Sequence, residues 1–173
     1  MKLIWKIIIS IAVVATIFAI IFIAIKYDPY KKNIIENSTT ENFIESDSYL
    51  EEVTFAENVN YIIDEYNSLI NSVNQENDYL SLDDFISSEK AFLNKLESIN
   101  KDLQNLNYPS TCTDYRNELC VIFEDICIYE RMLINSLEIE DESGYESNLN
   151  KVNNSFENFI NEFNSMINYL QNK

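Results

Sequence analysis

The sequence has only one glycine, Gly144, and two prolines, Pro29 and Pro109, among its 173 residues. Tight turns between strands need residues that accept a positive φ, and glycine accepts it most readily. Asparagine is the next best choice, but it is scattered along this chain instead of being clustered at turn positions. A sheet-rich fold is therefore hard to build, and the composition predicts an all-α protein.

The N-terminal part contains a long apolar stretch, residues 7–25, which carries no charge and has only Ser10 and Thr16 as hydroxyl side chains. A helix of this length extends about 28 Å, close to the hydrocarbon thickness of a bilayer. Lys6 and Lys26 flank it, where charged groups reach the lipid headgroups. We predict a transmembrane helix whose partner is the lipid bilayer.

Two fates are open for this segment. A cleaved secretory signal has a shorter apolar core that ends in small residues. Here the core is longer and ends among bulky residues, although Ala19 or Ala24 would allow cleavage. We predict a retained signal-anchor at the cell membrane, with residues 1–6 as a short inner tail and residues 26–40 as a linker. The soluble part is expected outside the membrane, because far more chain follows the span than precedes it; the flanking lysines do not decide the orientation.

Residues 41–173 show the three- and four-residue spacing of amphipathic helices. We predict helices at about 41–75, 82–106, 111–138 and 144–171. The last helix has the most regular pattern, with a 3.5-residue period that is typical of a narrow packed seam: Tyr145, Leu149, Val152, Phe156, Phe159, Phe163, Met166 and Leu170. Four such helices with short connections predict an antiparallel up-down-up-down bundle.

Local sequence signals mark the ends of these helices. Ser81 with Asp84 resembles a capping box at the start of the second helix, and Ser143 with Glu146 resembles one at the start of the fourth. Pro109 disfavours helical geometry in the residue before it and so separates the second helix from the third.

The residue types that support most catalysis are missing. There is no histidine, which excludes Ser–His and Cys–His pairs and the histidine ligands of zinc and di-iron sites. A single glycine excludes phosphate-binding loops. An enzyme would need an inward-facing carboxylate or thiol, whereas the acidic pairs at 64–65 and 83–84 fall on predicted surface positions. We expect a non-enzymatic protein without a cofactor or metal.

The charge of the predicted bundle is strongly negative. From residue 41 onward there are seven basic and 27 acidic residues, a net charge of −20. Nucleic acid and anionic lipid surfaces would be repelled. A cationic partner or loosely held divalent cations would be attracted, and the alternative is simply a well-solvated surface that resists association.

The sequence contains candidate residues for two kinds of covalent modification, a disulfide bond and N-glycosylation. Cys120 and Cys127 lie beside the apolar stripe of the third helix, where we expect small buried side chains. Because the number of cysteines is odd, Cys112 is a candidate for a disulfide between two chains in an oxidising compartment. Asn37 and Asn153 begin N-glycosylation sequons, which are weak signals in a chain so rich in asparagine and serine.

These features favour a membrane-anchored helical protein that binds a protein partner through the bundle or spaces one from the membrane. The plan of one span followed by a four-helix bundle resembles the ligand-sensing domains of bacterial receptors. The alternative is therefore a sensor or carrier that holds a small apolar ligand between the helices, with Phe and Tyr side chains as its lining. The oligomeric state is left open.

The retained anchor is tested by the mass of the mature protein. We expect the membrane fraction to contain a chain that still includes residues 7–25, and external protease to digest the bundle in intact cells. A mature chain that begins near Lys26 would contradict the tethered role.

Overall fold

The computed structural model describes residues 46–76 and 81–172, and this part of the chain is all-helical, without a strand. The helices are α1 (Ser46–Glu76), α2 (Leu82–Gln104), α3 (Thr113–Glu138) and α4 (Glu142–Gln171), with a short 3-10 helix, Ser110–Cys112, before α3. The predicted all-α class and the four helices are confirmed for these residues.

The predicted tail, membrane span and linker, residues 1–6, 7–25 and 26–40, lie outside the described residues. Among the residues that are described, no helix is long and apolar enough to cross a bilayer.

The four helices pack side by side, as expected for a helical bundle. Each helix contacts the next one in the chain, and α1 also contacts α4. The most extensive contact is between α3 and α4, which a short turn connects. The C-terminal half of the chain therefore forms the largest packed unit of the fold.

The predicted seam of α4 faces the core. All of its residues are buried except Leu149, which is half-buried. At its centre Phe156 stacks on Tyr66 of α1, with 4.2 Å between ring centroids, and Phe159 meets Phe123 of α3 edge-on at 5.4 Å. These aromatic rings pack against one another across three helices. Stacked and edge-on geometries are the ones that aromatic pairs prefer.

The start of α2 agrees with the predicted capping box. The Ser81 side chain accepts the backbone N–H of Asp84, and the Asp84 carboxylate accepts the backbone N–H of Ser81. Two N–H groups that the first turn leaves without helical partners are satisfied in this way.

The predicted cap of the fourth helix at Ser143 is wrong. The N-cap is Asp141, whose Oδ1 accepts the backbone N–H of Gly144 at 3.0 Å, and the helix begins at Glu142. A β-carbon on Gly144 would collide with the Asp141 carboxylate, so the chain's one glycine lies where a side chain would obstruct the cap.

The turn before this cap explains the shift. Glu140 has a φ of 55°, and the Asp141 N–H donates to the Ser136 carbonyl at 2.8 Å while the Glu140 N–H donates to Leu137. This is the Schellman pattern that ends many helices, with glutamate at the position that usually holds glycine. Because the motif ends α3 and places Asp141 at the N-cap of α4, Ser143 already lies within the first turn of that helix and cannot cap it.

Other boundaries differ by a few residues. Helix α2 ends at Gln104 instead of residue 106, and α3 begins at Thr113 instead of residue 111, because residues 110–112 form the 3-10 turn. Residues 41–45 of the first predicted helix lie outside the described part.

We expect Asp141→Ala to lower the free energy of unfolding by about 1 kcal/mol, because it removes the acceptor for an N–H at the start of α4. The measurement is chemical denaturation followed by circular dichroism. Ser143→Ala is the matched control and should change stability by less than about 0.5 kcal/mol, since Ser143 is exposed and does not cap the helix. A larger loss at Ser143 than at Asp141 would contradict the observed cap.

Candidate functional site: an exposed apolar stripe and buried carboxyl groups

The outer face of α3 carries a row of exposed apolar side chains. Val121 is 60% exposed, Ile128 38%, Met132 43%, and Ile139, just after the helix, 65%. At 3.6 residues per turn these positions lie within an arc of about 40°, and they extend roughly 27 Å along the helix. We call these four residues the α3 stripe. Such a row makes this face of α3 a candidate docking face.

Acidic residues border the stripe. Asp114 and Glu118 are exposed near its N-terminal end, and Asp125 is half-buried beside it. Glu118 also acts on Glu162 of α4, whose pKa is raised by partial burial and by this like charge. A basic group placed along this edge would relieve that repulsion.

Two basic residues, one on α2 and one on α3, form ion pairs at the surface. Arg131 donates to Glu97 at 2.6 Å, and Lys90 forms an ion pair with Glu138. The acidic side chains that border the α3 stripe therefore favour a partner with positive charge.

Three glutamates point into the protein, although acidic residues are expected at the surface. Glu52 is 0% exposed, Glu89 8% and Glu130 3%. A signal was present in the sequence: each lies three or four residues from buried apolar positions of its own helix, as Glu89 does between Phe85 and Phe92. The acidic pairs at 64–65 and 83–84, in contrast, lie at exposed or half-buried positions, as predicted.

Two of these carboxyl groups meet between α2 and α3. The side chains of Glu89 and Glu130 are hydrogen-bonded to each other. Burial raises the pKa of Glu89, and burial together with the neighbouring Glu89 raises the pKa of Glu130 well above its usual range. Oε1 of Glu130 is buried without a hydrogen-bond partner. Ionisation of both carboxyl groups is unfavourable in such a site, and this favours a proton shared by the pair.

Tyrosines from the other two helices lie near the pair. Burial and the Glu130 charge raise the pKa of Tyr66 on α1, and burial and both glutamates raise the pKa of Tyr145 on α4. Both phenols therefore stay protonated throughout the physiological range. All four helices thus contribute a side chain to this polar group.

The third buried carboxyl group connects distant parts of the chain. Glu52 of α1 accepts a hydrogen bond from the Thr111 hydroxyl, which lies in the 3-10 helix before α3. A carboxylate that accepts a hydroxyl group forms a stronger hydrogen bond than a neutral acceptor. This contact holds the first half of α1 against the turn that follows Pro109.

The cysteines are all buried. Cys120 and Cys127 lie within the main apolar cluster, as expected, and burial raises the pKa of the Cys127 thiol to about 12. Cys112 is 0% exposed in the 3-10 helix. A disulfide to a second chain through Cys112 would require this turn to open, and that bond stays a prediction.

Of the two glycosylation sequons, only the one at Asn153 lies within the described residues. Asn153 lies half-buried within α4, and Ser155, the residue that completes its sequon, is buried. Asn37 lies outside the described residues.

The chemistry of these groups is limited by their burial. Among the described residues, no cluster of three or more acidic or cysteine side chains could hold a metal ion. The inward-facing carboxyl groups that an enzyme would need are present, but they are enclosed by the core and not displayed to a substrate. Comparison with protein-family models, with curated proteins and with solved structures finds no match to this chain.

Replacing Thr111 by valine removes the hydroxyl donor from the buried Glu52 carboxylate while keeping a similar side-chain volume. We expect a loss of about 1–3 kcal/mol in the free energy of unfolding, measured by chemical denaturation. Thr54→Val on the exposed side of α1 is the control and should cost less than about 0.5 kcal/mol. Equal effects of the two substitutions would contradict the role of the Glu52–Thr111 contact.

Proposed function

We propose that this chain is a single-pass, membrane-anchored interaction protein without enzymatic activity, which presents an up-down-up-down helical bundle on the outer side of the membrane. The observation that supports it is the α3 stripe. A membrane anchor and linker would hold this stripe at a set distance from the bilayer, where a partner in the same membrane can reach it.

The chemistry of the stripe favours one class of partner. Its straight row of side chains fits an amphipathic helix with apolar residues at three- and four-residue spacing. The acidic border favours lysine or arginine on the flanks of that helix. A second copy of this chain would bring Glu118 and Asp125 against equally acidic residues, so we propose a basic partner and not self-association.

The test uses the full chain in detergent micelles and a synthetic amphipathic helix with a leucine face flanked by lysine. We expect binding that weakens as salt is added, because part of the attraction is electrostatic. Ile128→Asp with Met132→Asp should weaken it by more than about tenfold, since two charges would be placed against the apolar face of the peptide. Fluorescence anisotropy of the labelled peptide measures both effects.

Two controls separate this docking face from general attraction to an acidic protein. Tyr61→Asp places a charge on the exposed face of α1, where Tyr61 is 66% exposed, and should leave the affinity unchanged within about twofold. A scrambled peptide of the same composition should bind weakly in every case. If the scrambled peptide binds as well, or if the α3 variant binds normally, the proposal is wrong.

A further inference from the structure

The Glu89–Glu130 pair divides the core into two parts. The larger apolar cluster extends from α1 to α4 and includes Phe92 of α2 and Cys127 of α3. The smaller cluster contains Phe85, Leu133, Leu137 and Tyr145. Along α2, Glu89 lies between Phe85 and Phe92, and along α3, Glu130 lies between Cys127 and Leu133. The two carboxyl groups therefore occupy the boundary between the clusters.

Among the described residues, no basic side chain forms an ion pair with Glu89 or Glu130. Lys90 and Arg131, the basic residues next to the pair in sequence, form their ion pairs at the surface with Glu138 and Glu97. The charge of the pair acts on Tyr66 of α1, Tyr145 of α4 and the neighbouring Cys127 of α3, and burial raises the pKa of all three, so they are neutral at physiological pH. Apolar side chains lie on both sides, so two negative charges would repel each other more strongly here than in water.

We propose that Glu89 and Glu130 form a proton-operated latch between α2 and α3: a proton held by the pair fastens the two helices, and loss of that proton drives them apart. In the latched state one carboxylic acid donates its O–H to the other carboxyl group. In the open state both carboxyl groups are ionised and hydrated. Water reaches them only if the interface between α2 and α3 opens.

The direction of the effect follows from proton binding. Both carboxyl groups have raised pKa values in the folded protein, so the folded state holds more protons than the unfolded state above about pH 4.5. Stability is then greatest at mildly acidic pH and falls as pH rises toward the folded-state pKa values. For each proton that the folded state binds in excess, the folding equilibrium constant falls by up to tenfold per unit rise in pH between about pH 4.5 and the folded-state pKa values.

The experiment measures unfolding of the full chain in detergent micelles from about pH 5 to pH 9, a range that includes the pKa values of buried glutamates. Glu130→Gln keeps the shape of the side chain, and its amide can donate to Glu89 as the carboxylic acid does. We expect this variant to lose one linked proton and therefore to show a flatter pH profile, with a larger folding constant than the wild type at the alkaline end. Glu89→Gln should act in the same direction.

Glu146→Gln provides the matched control. Glu146 is exposed on α4, and this substitution also removes one carboxyl group from the chain. Glu146→Gln should preserve the wild-type dependence of the free energy of unfolding on pH. The general repulsion within an acidic protein is thereby separated from the effect of the pair. A slope that is the same in Glu130→Gln, Glu146→Gln and the wild type would overturn the proposal.

Infrared spectroscopy of the wild type keeps the test decisive if the glutamine variants fail to fold. A carboxylic-acid carbonyl band should be present at neutral pH and should disappear reversibly as pH rises. Hydrogen exchange, corrected for the intrinsic pH dependence of amides, should show that α2 loses protection over the same range. Absence of the band at neutral pH, or loss of the band without loosening of α2, would reject the latch.

Discussion

Burial of the α4 seam against α3 and α1 is the interaction on which the other helices depend. Isolated helices of this kind are marginal in water, and the many asparagines lower the intrinsic helicity of these segments further. The stacked Tyr66 and Phe156 rings and the edge-on pair of Phe123 and Phe159 fix three helices relative to one another. Apolar burial supplies most of the driving force for folding. Residues outside the seam are therefore less constrained by the stability of the bundle.

The charges of this protein are divided between two very different environments. Most acidic side chains lie on the surface, where water and salt screen them. Glu52, Glu89 and Glu130 lie in the core, where a carboxyl group is destabilising unless it is protonated or hydrogen-bonded. The same residue type therefore gives the surface its negative charge and gives the core carboxyl groups whose pKa values are raised by burial.

Long periodic patterns predict the helices of this chain correctly, whereas a feature that depends on a single contact is not predicted by its local sequence. The seam of α4 and the capping box at Ser81 could be read directly, because each depends on residues close together in the chain. The cap at Ser143 was wrong because a turn that begins in α3 delivers Asp141 first. The α3 stripe was missed because α3 has apolar residues on more than one face, and periodicity alone does not tell which face a neighbour covers.

By itself, the sequence determined the helical class, the four periodic segments, the exclusion of histidine chemistry and the acidic character, since these follow from composition and local spacing. Only the tertiary structure decided that Glu89 meets Glu130 and that Val121, Ile128 and Met132 remain uncovered. The physical reason is that pairing and exposure depend on how neighbouring helices are rotated about their axes. That rotation is set by the packing of side chains that are far apart in the chain.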